Sequence, residues 1–312
     1  MDGANLEVNF WLNETITPWD VYGHGITRVL VHQQTPFQEM YVVETGAYGK
    51  ALILDGKWQS CTGDEFLYHE ALVHPAMVLH GAPRRVLVLG GAEGATLREV
   101  LRWRTVERVV MVDIDGEVVQ ACQQYLPEMH CHAFEDSRVE LIIDDALKYL
   151  DRTGDTWDIV ISDLTDPVEA GPAYALFTQE HYQQVQRVLS PEGFYALQAG
   201  PIAPAELWQH TRVVNTLKTV FSQVQTCLCH AVTFGSPLAF AIAANTPFNH
   251  QPNPDHIDAQ LATQTDGKLR LIDGESLLGM LQVPKHIRDA IAAEATVYTL
   301  ANPPTLADPP QV

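Results

Sequence analysis

Two carboxylates stand at the end of one apolar run and could handle protons or cations. In the segment DIVISDLTDPVEAGP, Asp163 ends the run and Asp166 follows three positions later, directly before Pro167. Because Asp-Pro favours turns, Asp166 could be only a turn residue. The pair could also hold a metal, but no further ligands with metal spacing stand nearby. We interpret Asp163 as a proton acceptor and Asp166 as an anchor for a positive charge.

A glycine-rich turn, VLVLGGAEGATLREV, offers a second place where a ligand could bind. Gly90 would let the backbone approach a ligand closely, although such a turn alone is a weak signal. Glu93 beside a helix N-terminus would repel a pyrophosphate, so a nicotinamide dinucleotide is disfavoured. It would also repel the carboxylate of S-adenosylmethionine and attract the ammonium group left after decarboxylation. The alternative is that Glu93 faces water as a partner of the helix dipole.

Two further acids are expected at the ends of neighbouring strands. Asp113 lies in VVMVDID, 23 residues beyond Gly90, where an acid commonly binds ribose hydroxyls. Asp145, in LIIDDAL, could accept a hydrogen bond from an adenine amino group. Together these residues predict a nucleoside pocket without a phosphate site.

A protonated amine is a substrate whose reaction would use both Asp163 and Asp166. An alkylammonium has a pKa of about 10.4, so only roughly one molecule in 2,500 is neutral at pH 7, a cost of about 4.6 kcal/mol. A carboxylate at Asp163 can accept that proton while the nitrogen attacks a carbon activated by a sulfonium. Asp166 can hold the amine in line for the attack.

Alternating strands and helices from residue 84 onward must position these acids. Near-continuous apolar strands between amphipathic helices predict an α/β, doubly wound Rossmann-like sheet of the methyltransferase type. We assign this catalytic domain to residues 62–247. Residues 1–61 predict a small antiparallel β domain, with a hairpin turn at Asp55-Gly56. Thr62 and Glu65 fit a capping box that starts a helix.

The last part of the chain predicts a smaller addition. Residues 248–312 are expected to contain a Pro- and Asn-rich linker, a small C-terminal element and a mobile Pro-rich tail over residues 301–312. Cys227 and Cys229 could suggest a metal site, but no second pair accompanies them. We expect reduced thiols at alternate positions of a strand.

The charge balance limits the classes of partner. With 19 Lys and Arg against 39 Asp and Glu, the net charge is -20, which disfavours nucleic acid and suits a small cation. Many proteins are acidic without such a ligand. No apolar run is long enough for a membrane-spanning helix and the first residues lack the pattern of a signal peptide, so we expect a cytoplasmic protein.

These motifs, in this order, resemble the polyamine aminopropyltransferase (spermidine/spermine synthase) family over nearly the whole chain. They run from FQEMYVVETGAYGKALILDGKWQSCTGDEFLYHEALVHPA through VLVLGGAEGATLREV to SDLTDPVEAGP. DLTDPVEAGP, QAGP at Gln198 to Pro201 and LIDGESLLGML with EATVYTL are most similar to thermospermine synthases.

The resemblance implies a role for each site residue. Asp163 is expected to be the catalytic proton acceptor. Residues expected to bind the donor, decarboxylated S-adenosylmethionine, are Gln38, His69, Gly90, Glu93, Asp113, Asp145, Ala146 and Pro172. Residues expected to bind the polyamine are Tyr68, Asp166, Gln59 and Phe234. The donor is a co-substrate, no metal or other cofactor is expected, and the chain is expected to form a homodimer or homotetramer.

The acceptor end of the predicted pocket departs most from the family pattern. Phe234 is the candidate for a late aromatic contact, and without a hydroxyl it can only form a wall. Ala92 replaces a glycine that the family usually has, and His69 could be an ordinary polar helix residue. The alternatives are a spermidine synthase acting on putrescine, a methyltransferase using intact S-adenosylmethionine, and a non-catalytic polyamine-binding protein.

Overall fold

The computed structural model describes residues 8–165 and 173–304 of the chain. Asp166 and Pro172, two of the predicted site residues, lie outside the described residues. The elements, in chain order, are β1 Phe10–Thr17, β2 Asp20–Gln34, β3 Glu39–Thr45, β4 Lys50–Leu54, β5 Lys57–Cys61, α1 Glu65–His80, β6 Arg85–Gly90, α2 Ala95–Leu101, β7 Arg108–Asp113, α3 Gly116–Tyr125, α4 Pro127–His130, β8 Val139–Ile143, α5 Ala146–Arg152, β9 Trp157–Asp163, α6 Gln179–Val188, β10 Leu189–Pro201, α7 Leu207–Lys218, β11 Gln223–Cys229, β12 Leu238–Ala244, α8 Pro254–Gln264, α9 Gly274–Met280 and α10 Lys285–Ala293.

The first five strands form an antiparallel sheet in sequential order. The antiparallel β domain is as predicted, and β1 is a strand that the sequence patterns did not indicate. Asp55 and Gly56 join β4 to β5 with φ angles of 47° and 72°. Two consecutive left-handed residues match the twist of a tight hairpin, which is why Asp-Gly suits this turn. The pairing shifts register after Leu52, which pairs with Ser60, while Ile53 pairs with Trp58. Gln59 is therefore the extra residue of a β-bulge.

The second sheet has seven strands in the order β11-β12-β10-β9-β6-β7-β8. The five strands from β10 to β8 are parallel, and β12 runs antiparallel to both β10 and β11. Val86 and Val88 of β6 pack into one apolar cluster, and Leu87 and Leu89 pack into another on the opposite face. Both faces of the sheet are thus covered, and the predicted Rossmann-like, methyltransferase-type fold is confirmed.

Helix α1 connects the two sheets but does not begin with the predicted capping box. Its N-cap is Asp64, without a side-chain cap hydrogen bond. The Thr62 hydroxyl accepts from the Lys50 amide at 3.1 Å. The Asp64 carboxylate accepts from the amide and hydroxyl of Thr233, at 3.1 and 2.8 Å. The capping-box prediction is wrong because contacts with distant parts of the chain engage these side chains.

Part of the segment predicted to be a Pro- and Asn-rich linker begins a helix. The Pro- and Asn-rich segment is a loop only as far as Asn253, whose side chain caps α8, and Pro254 is its first residue. Asparagine followed by proline is a helix-start signal that the sequence interpretation overlooked. The buried Glu70 of α1 accepts hydrogen bonds from the amides of Arg270, Leu271 and Ile272, at 2.8, 2.8 and 3.1 Å. Through these three hydrogen bonds the Glu70 carboxylate links the C-terminal element to α1.

Three smaller predictions have different outcomes. Cys227 and Cys229 are buried free thiols at alternate positions of β11, as predicted. The Pro-rich tail is described only to Pro304, which is buried, so its predicted mobility falls largely on residues outside the described ones. Within the described ranges, no helix is both long and apolar enough to cross a membrane.

Candidate active site

The glycine-rich turn and Asp163 meet because β6 and β9 are neighbours in the sheet. Gly90 pairs with Asp163, and the Gly91 amide donates to the Asp163 carbonyl at 3.0 Å. Gly90 has a φ of +82°, and a Cβ there would lie 2.2 Å from that carbonyl oxygen. Only glycine therefore fits this crossing, and the carboxyl ends of the two strands open toward the same space.

The Asp163 carboxylate is nearly enclosed by hydrogen-bond donors. Its side chain is 8% exposed. The Tyr68 hydroxyl donates to Oδ1 at 3.1 Å and the Thr96 hydroxyl to Oδ2 at 2.6 Å. Burial raises the pKa of Asp163, the nearby charge of Glu93 raises it further, and His69 opposes both. The two hydroxyl groups thus hold the Asp163 carboxylate in place, and its raised pKa makes it a better proton acceptor.

Glu93 faces inward rather than toward water, with 7% of the residue exposed. The Ser60 hydroxyl donates to its Oε1 at 3.0 Å, and Nε2 of His69 lies 3.4 Å from the same oxygen. Burial alone would raise the pKa of Glu93, but the contact with His69 outweighs it and holds the pKa below its usual value. Glu93 is thus a buried, ionised acid beside Asp163.

Asp113 ends β7 and is 8% exposed. It accepts from the Asp115 amide at 2.9 Å. Burial, together with the charges of nearby acids, raises the pKa of Asp113 to about 7. Asp115 caps α3 and also accepts from the side chains of Thr35 and Gln38, at 2.6 and 3.1 Å. The structure therefore brings the predicted residue Gln38 to the end of β7.

Asp145 and Ala146 lie just beyond the end of the next strand, β8. The Asp145 side chain caps α5 by accepting from the Leu147 amide at 2.9 Å, and Ala146 is the first residue of that helix. The amide of Asp144 donates to the Asp113 carbonyl at 3.0 Å, which joins the two strand ends. Both residues thus lie on the same edge of the sheet as Asp113.

Aromatic rings pack around Tyr68, whose hydroxyl contacts Asp163. Tyr68 stacks on Phe234 with ring centroids 5.5 Å apart, and its edge meets Phe240 at 5.0 Å. Phe234 is thus a wall beside the hydroxyl that contacts Asp163. Gln59, at the bulge of β5, donates to the Lys57 carbonyl of its own strand. Its neighbour Ser60 is the residue of β5 that reaches Glu93.

Several residues of this cluster were not predicted from the sequence. Ser60 and Thr96 bind the acids through hydroxyl groups, which belong to no motif that we used. Glu65 was interpreted only as a helix cap, yet it binds both His69 and Arg98. The spacing of Glu65 and His69, four residues apart in a helix, is a signal that could have identified the pair.

The arrangement favours a cationic ligand. Glu93, Asp113 and Asp163 stand at the ends of strands or turns on one edge of the sheet, and each is largely buried. Nowhere in the described ranges do three His, Cys, Asp or Glu side chains form a group that could hold a metal ion. Buried acids of this kind bind positive charge or accept protons.

Comparison with known proteins connects this site to an activity. Residues 65–251 match the model of the spermine/spermidine synthase domain, and residues 10–61 match that of the spermidine synthase tetramerisation domain. A polyamine aminopropyltransferase from Synechococcus sp. (strain JA-2-3B'a(2-13)) is 60% identical over 304 residues, covering 95% of this chain and 97% of that relative. One from Aeropyrum pernix is 44% identical over 298 residues, covering 94% of each chain.

Solved structures agree with the sequence relatives. A spermidine synthase in complex with the transition-state analogue AdoDATO superposes with a TM-score of 0.84 at 26% identity, covering 92% of this chain and 97% of that one. The spermidine synthase from Thermotoga maritima gives a TM-score of 0.82 at 25% identity, covering 92% and 96%. The family uses decarboxylated S-adenosylmethionine as a co-substrate. The chain belongs to the spermine/spermidine synthase family and is a polyamine aminopropyltransferase.

Proposed function

We propose that this enzyme moves the aminopropyl group of decarboxylated S-adenosylmethionine to spermidine, which yields thermospermine and 5'-methylthioadenosine. The observation that carries the proposal is a pair of buried acids, Asp163 at the end of β9 and Glu93 in the turn after the neighbouring strand β6, each of which accepts from a hydroxyl group. The choice of spermidine rests on the segments DLTDPVEAGP and LIDGESLLGML, whose resemblance to thermospermine synthases is part of the proposal.

The donor would lie along the edge formed by the ends of β6, β7 and β8. Glu93 receives the ammonium of the aminopropyl group, Asp113 the ribose hydroxyls and Asp145 the adenine amino group. Gly90 allows close approach of the backbone to the donor. Gln38, His69, Ala146 and Pro172 complete the proposed donor site. The order of Glu93, Asp113 and Asp145 along neighbouring strand ends supports this orientation.

The acceptor nitrogen would attack from the side of Tyr68 and Phe234. Its lone pair forms a bond to the aminopropyl carbon next to sulfur, and the carbon–sulfur bond breaks with its electrons moving to sulfur. The proton leaves the nitrogen for a carboxylate oxygen of Asp163. Asp166 and Gln59 hold the remaining positive charges and amines of the acceptor, and the two rings border the methylene chain.

Product identification tests the acceptor. The enzyme is incubated with decarboxylated S-adenosylmethionine and either putrescine or spermidine, and the polyamines are separated against thermospermine, spermine and spermidine standards. We expect thermospermine from spermidine and little product from putrescine. Preferential formation of spermidine from putrescine would identify a spermidine synthase instead. If polyamines bind but the donor is consumed with none of them, the chain is a binding protein.

Calorimetry with both forms of the donor tests the role of Glu93 and the methyltransferase alternative. A buried, ionised Glu93 should favour the decarboxylated donor over intact S-adenosylmethionine, whose carboxylate it would repel. In Glu93→Gln, most of this preference should disappear. A preference of the parent enzyme for the intact donor would contradict the proposed role of Glu93.

The first sheet is the proposed contact between subunits. Trp11, Trp19 and Val21 of the β1–β2 hairpin are 61%, 92% and 62% exposed, which is unusual for large apolar side chains. The match of residues 10–61 to a tetramerisation domain supports an oligomer. We propose a homodimer or homotetramer built through this surface. Light scattering after size-exclusion chromatography should give two or four chain masses, and a stable monomer would refute the assembly.

A further inference from the structure

His69 is surrounded by oxygen acceptors on both sides of its ring. Nδ1 lies 2.8 Å from the Glu65 carbonyl and 2.9 Å from Oε2 of the Glu65 side chain. Nε2 lies 3.4 Å from Oε1 of Glu93 and 3.9 Å from Oδ2 of Asp163. A neutral imidazole has one nitrogen without a proton, and here that lone pair would face carboxylates. Nε2 makes no hydrogen bond in the described structure, and a proton on it would place a positive charge facing Glu93 and Asp163. The imidazolium is therefore the form of the ring that the surrounding carboxylates favour.

Glu65 is held so that it cannot turn away from His69. Arg98 donates to both of its carboxylate oxygens, at 3.0 and 2.8 Å. Arg98 is itself fixed by the Met129 carbonyl at 2.6 Å and by Glu99 at 2.7 Å. A bidentate contact between a guanidinium and a carboxylate is the geometry that fixes orientation best. The Glu65 side chain is only 7% exposed, so water cannot easily replace it.

We propose that Glu65, fixed by Arg98, is a positioning residue that holds His69 as an imidazolium, and that this cation keeps Asp163 ionised and able to accept a proton. The inference deepens the proposed function, because it concerns the same base. Glu65 contacts no reacting atom in this scheme and acts only through His69.

The charges around the ring agree with this assignment. His69 faces Glu65 of its own helix, Glu93 of the turn after β6 and Asp163 of β9, with Arg98 of α2 behind Glu65. Burial lowers the pKa of His69, but the contacts with Glu65 and Glu93 raise it well above its usual value. Burial and Glu93 raise the pKa of Asp163, and His69 is the cation that counteracts them.

The pH dependence of turnover separates this role from a structural one. In Glu65→Gln, His69 loses its anchor and its charge near neutral pH, so Glu93 and Asp163 should share a proton. We expect the acidic limb of kcat/KM to move upward by about one to three pH units, with activity recovering at higher pH. His69→Gln should move the limb in the same direction. An unmoved limb, with a loss equal at every pH, would overturn the proposal.

Glu70→Gln is the matched control. Glu70 is a buried carboxylate of the same helix, adjacent to His69 in sequence, but it binds the backbone of residues 270–272. This variant should lower the unfolding midpoint and leave the acidic limb where it is in the parent enzyme. If the acidic limb of the kcat/KM pH profile shifts equally in Glu70→Gln, any disturbance of α1 has the same effect. The assignment to Glu65 would then fail.

Nitrogen NMR of the protein labelled in its histidine rings tests the charge without any substrate. The His69 signals, assigned by their loss in His69→Gln, should show both ring nitrogens protonated at pH 8 in the parent enzyme and one in Glu65→Gln. A neutral ring in the parent enzyme would refute the inference even if turnover is normal. If the ring is charged but no polyamine is converted, the proposed function fails while the charge assignment holds.

Discussion

Replacing Asp163 with asparagine tests the proton transfer most directly. Bringing an amine of pKa about 10.4 to its neutral form at pH 7 costs about 4.6 kcal/mol, and a base that accepts the proton during the attack avoids that cost. Without it, turnover should fall by up to about 2,500-fold at pH 7. The deficit should shrink as pH rises, roughly tenfold per unit up to about pH 10, because the free amine then becomes available in solution.

The structure predicts that the fold tolerates this change. An asparagine can keep hydrogen bonds with the hydroxyls of Tyr68 and Thr96. Because burial raises the pKa of Asp163, the folded state disfavours the charge, and a neutral amide should not lower the free energy of unfolding. Donor binding, measured by calorimetry, should persist.

The assay is single-turnover consumption of the donor from pH 6 to about pH 10, a range set by the pKa of the amine. Asp158→Asn is the control, since Asp158 lies on the same strand and accepts from the amides of Arg84 and Arg85. It should leave turnover unchanged. A loss in Asp163→Asn of less than about tenfold, or one of equal size at every pH, would refute the role of Asp163 as base.

Two other changes test the geometry and charge of the site. Gly90→Ala places a Cβ 2.2 Å from the Asp163 carbonyl oxygen at a φ of +82°, and should lower the free energy of unfolding by at least about 2 kcal/mol in denaturant titration. Gly154→Ala, where nothing lies within 4 Å, is its control, and equal losses would contradict the clash. Asp113 has a pKa raised from 3.8 to about 7 on folding, so the native state holds a proton that the unfolded chain releases, and stability should fall as pH rises through that window. Relative to the parent enzyme, Asp113→Asn should therefore gain stability from about pH 4 to pH 7 and no more above it. A stability difference independent of pH would show that Asp113 is ionised throughout.

Secondary structure and strand-end residues could be predicted from the sequence wherever the signal is a local pattern. Apolar periodicity identifies β2 to β5 and the seven strands of the second sheet, and Asp55-Gly56 specifies a turn that needs two left-handed residues. Strand ends locate Asp113, Asp145 and Asp163, because parallel strands bring their carboxyl ends to one edge.

What the sequence could not reveal depends on contacts between distant segments. Ser60 reaches Glu93 only because the first sheet packs against the second, and nothing near Ser60 in the sequence indicates this. Thr62 had a suitable local role as a helix cap, but it instead binds Lys50 across a hairpin. Local propensity is outweighed when a distant partner offers a better hydrogen bond.

The buried acids also have a consequence for how the protein evolves and is handled. Glu93, Asp113 and Asp163 repel one another, and two of them have pKa values raised above the usual range. The substrate-free enzyme is therefore less stable than its core would allow, a compromise between stability and function. Cationic substrates relieve the repulsion, so heat resistance should rise with their concentration. Substitutions that neutralise Asp113 or Asp163 would be selected in a screen for thermostability while removing the activity.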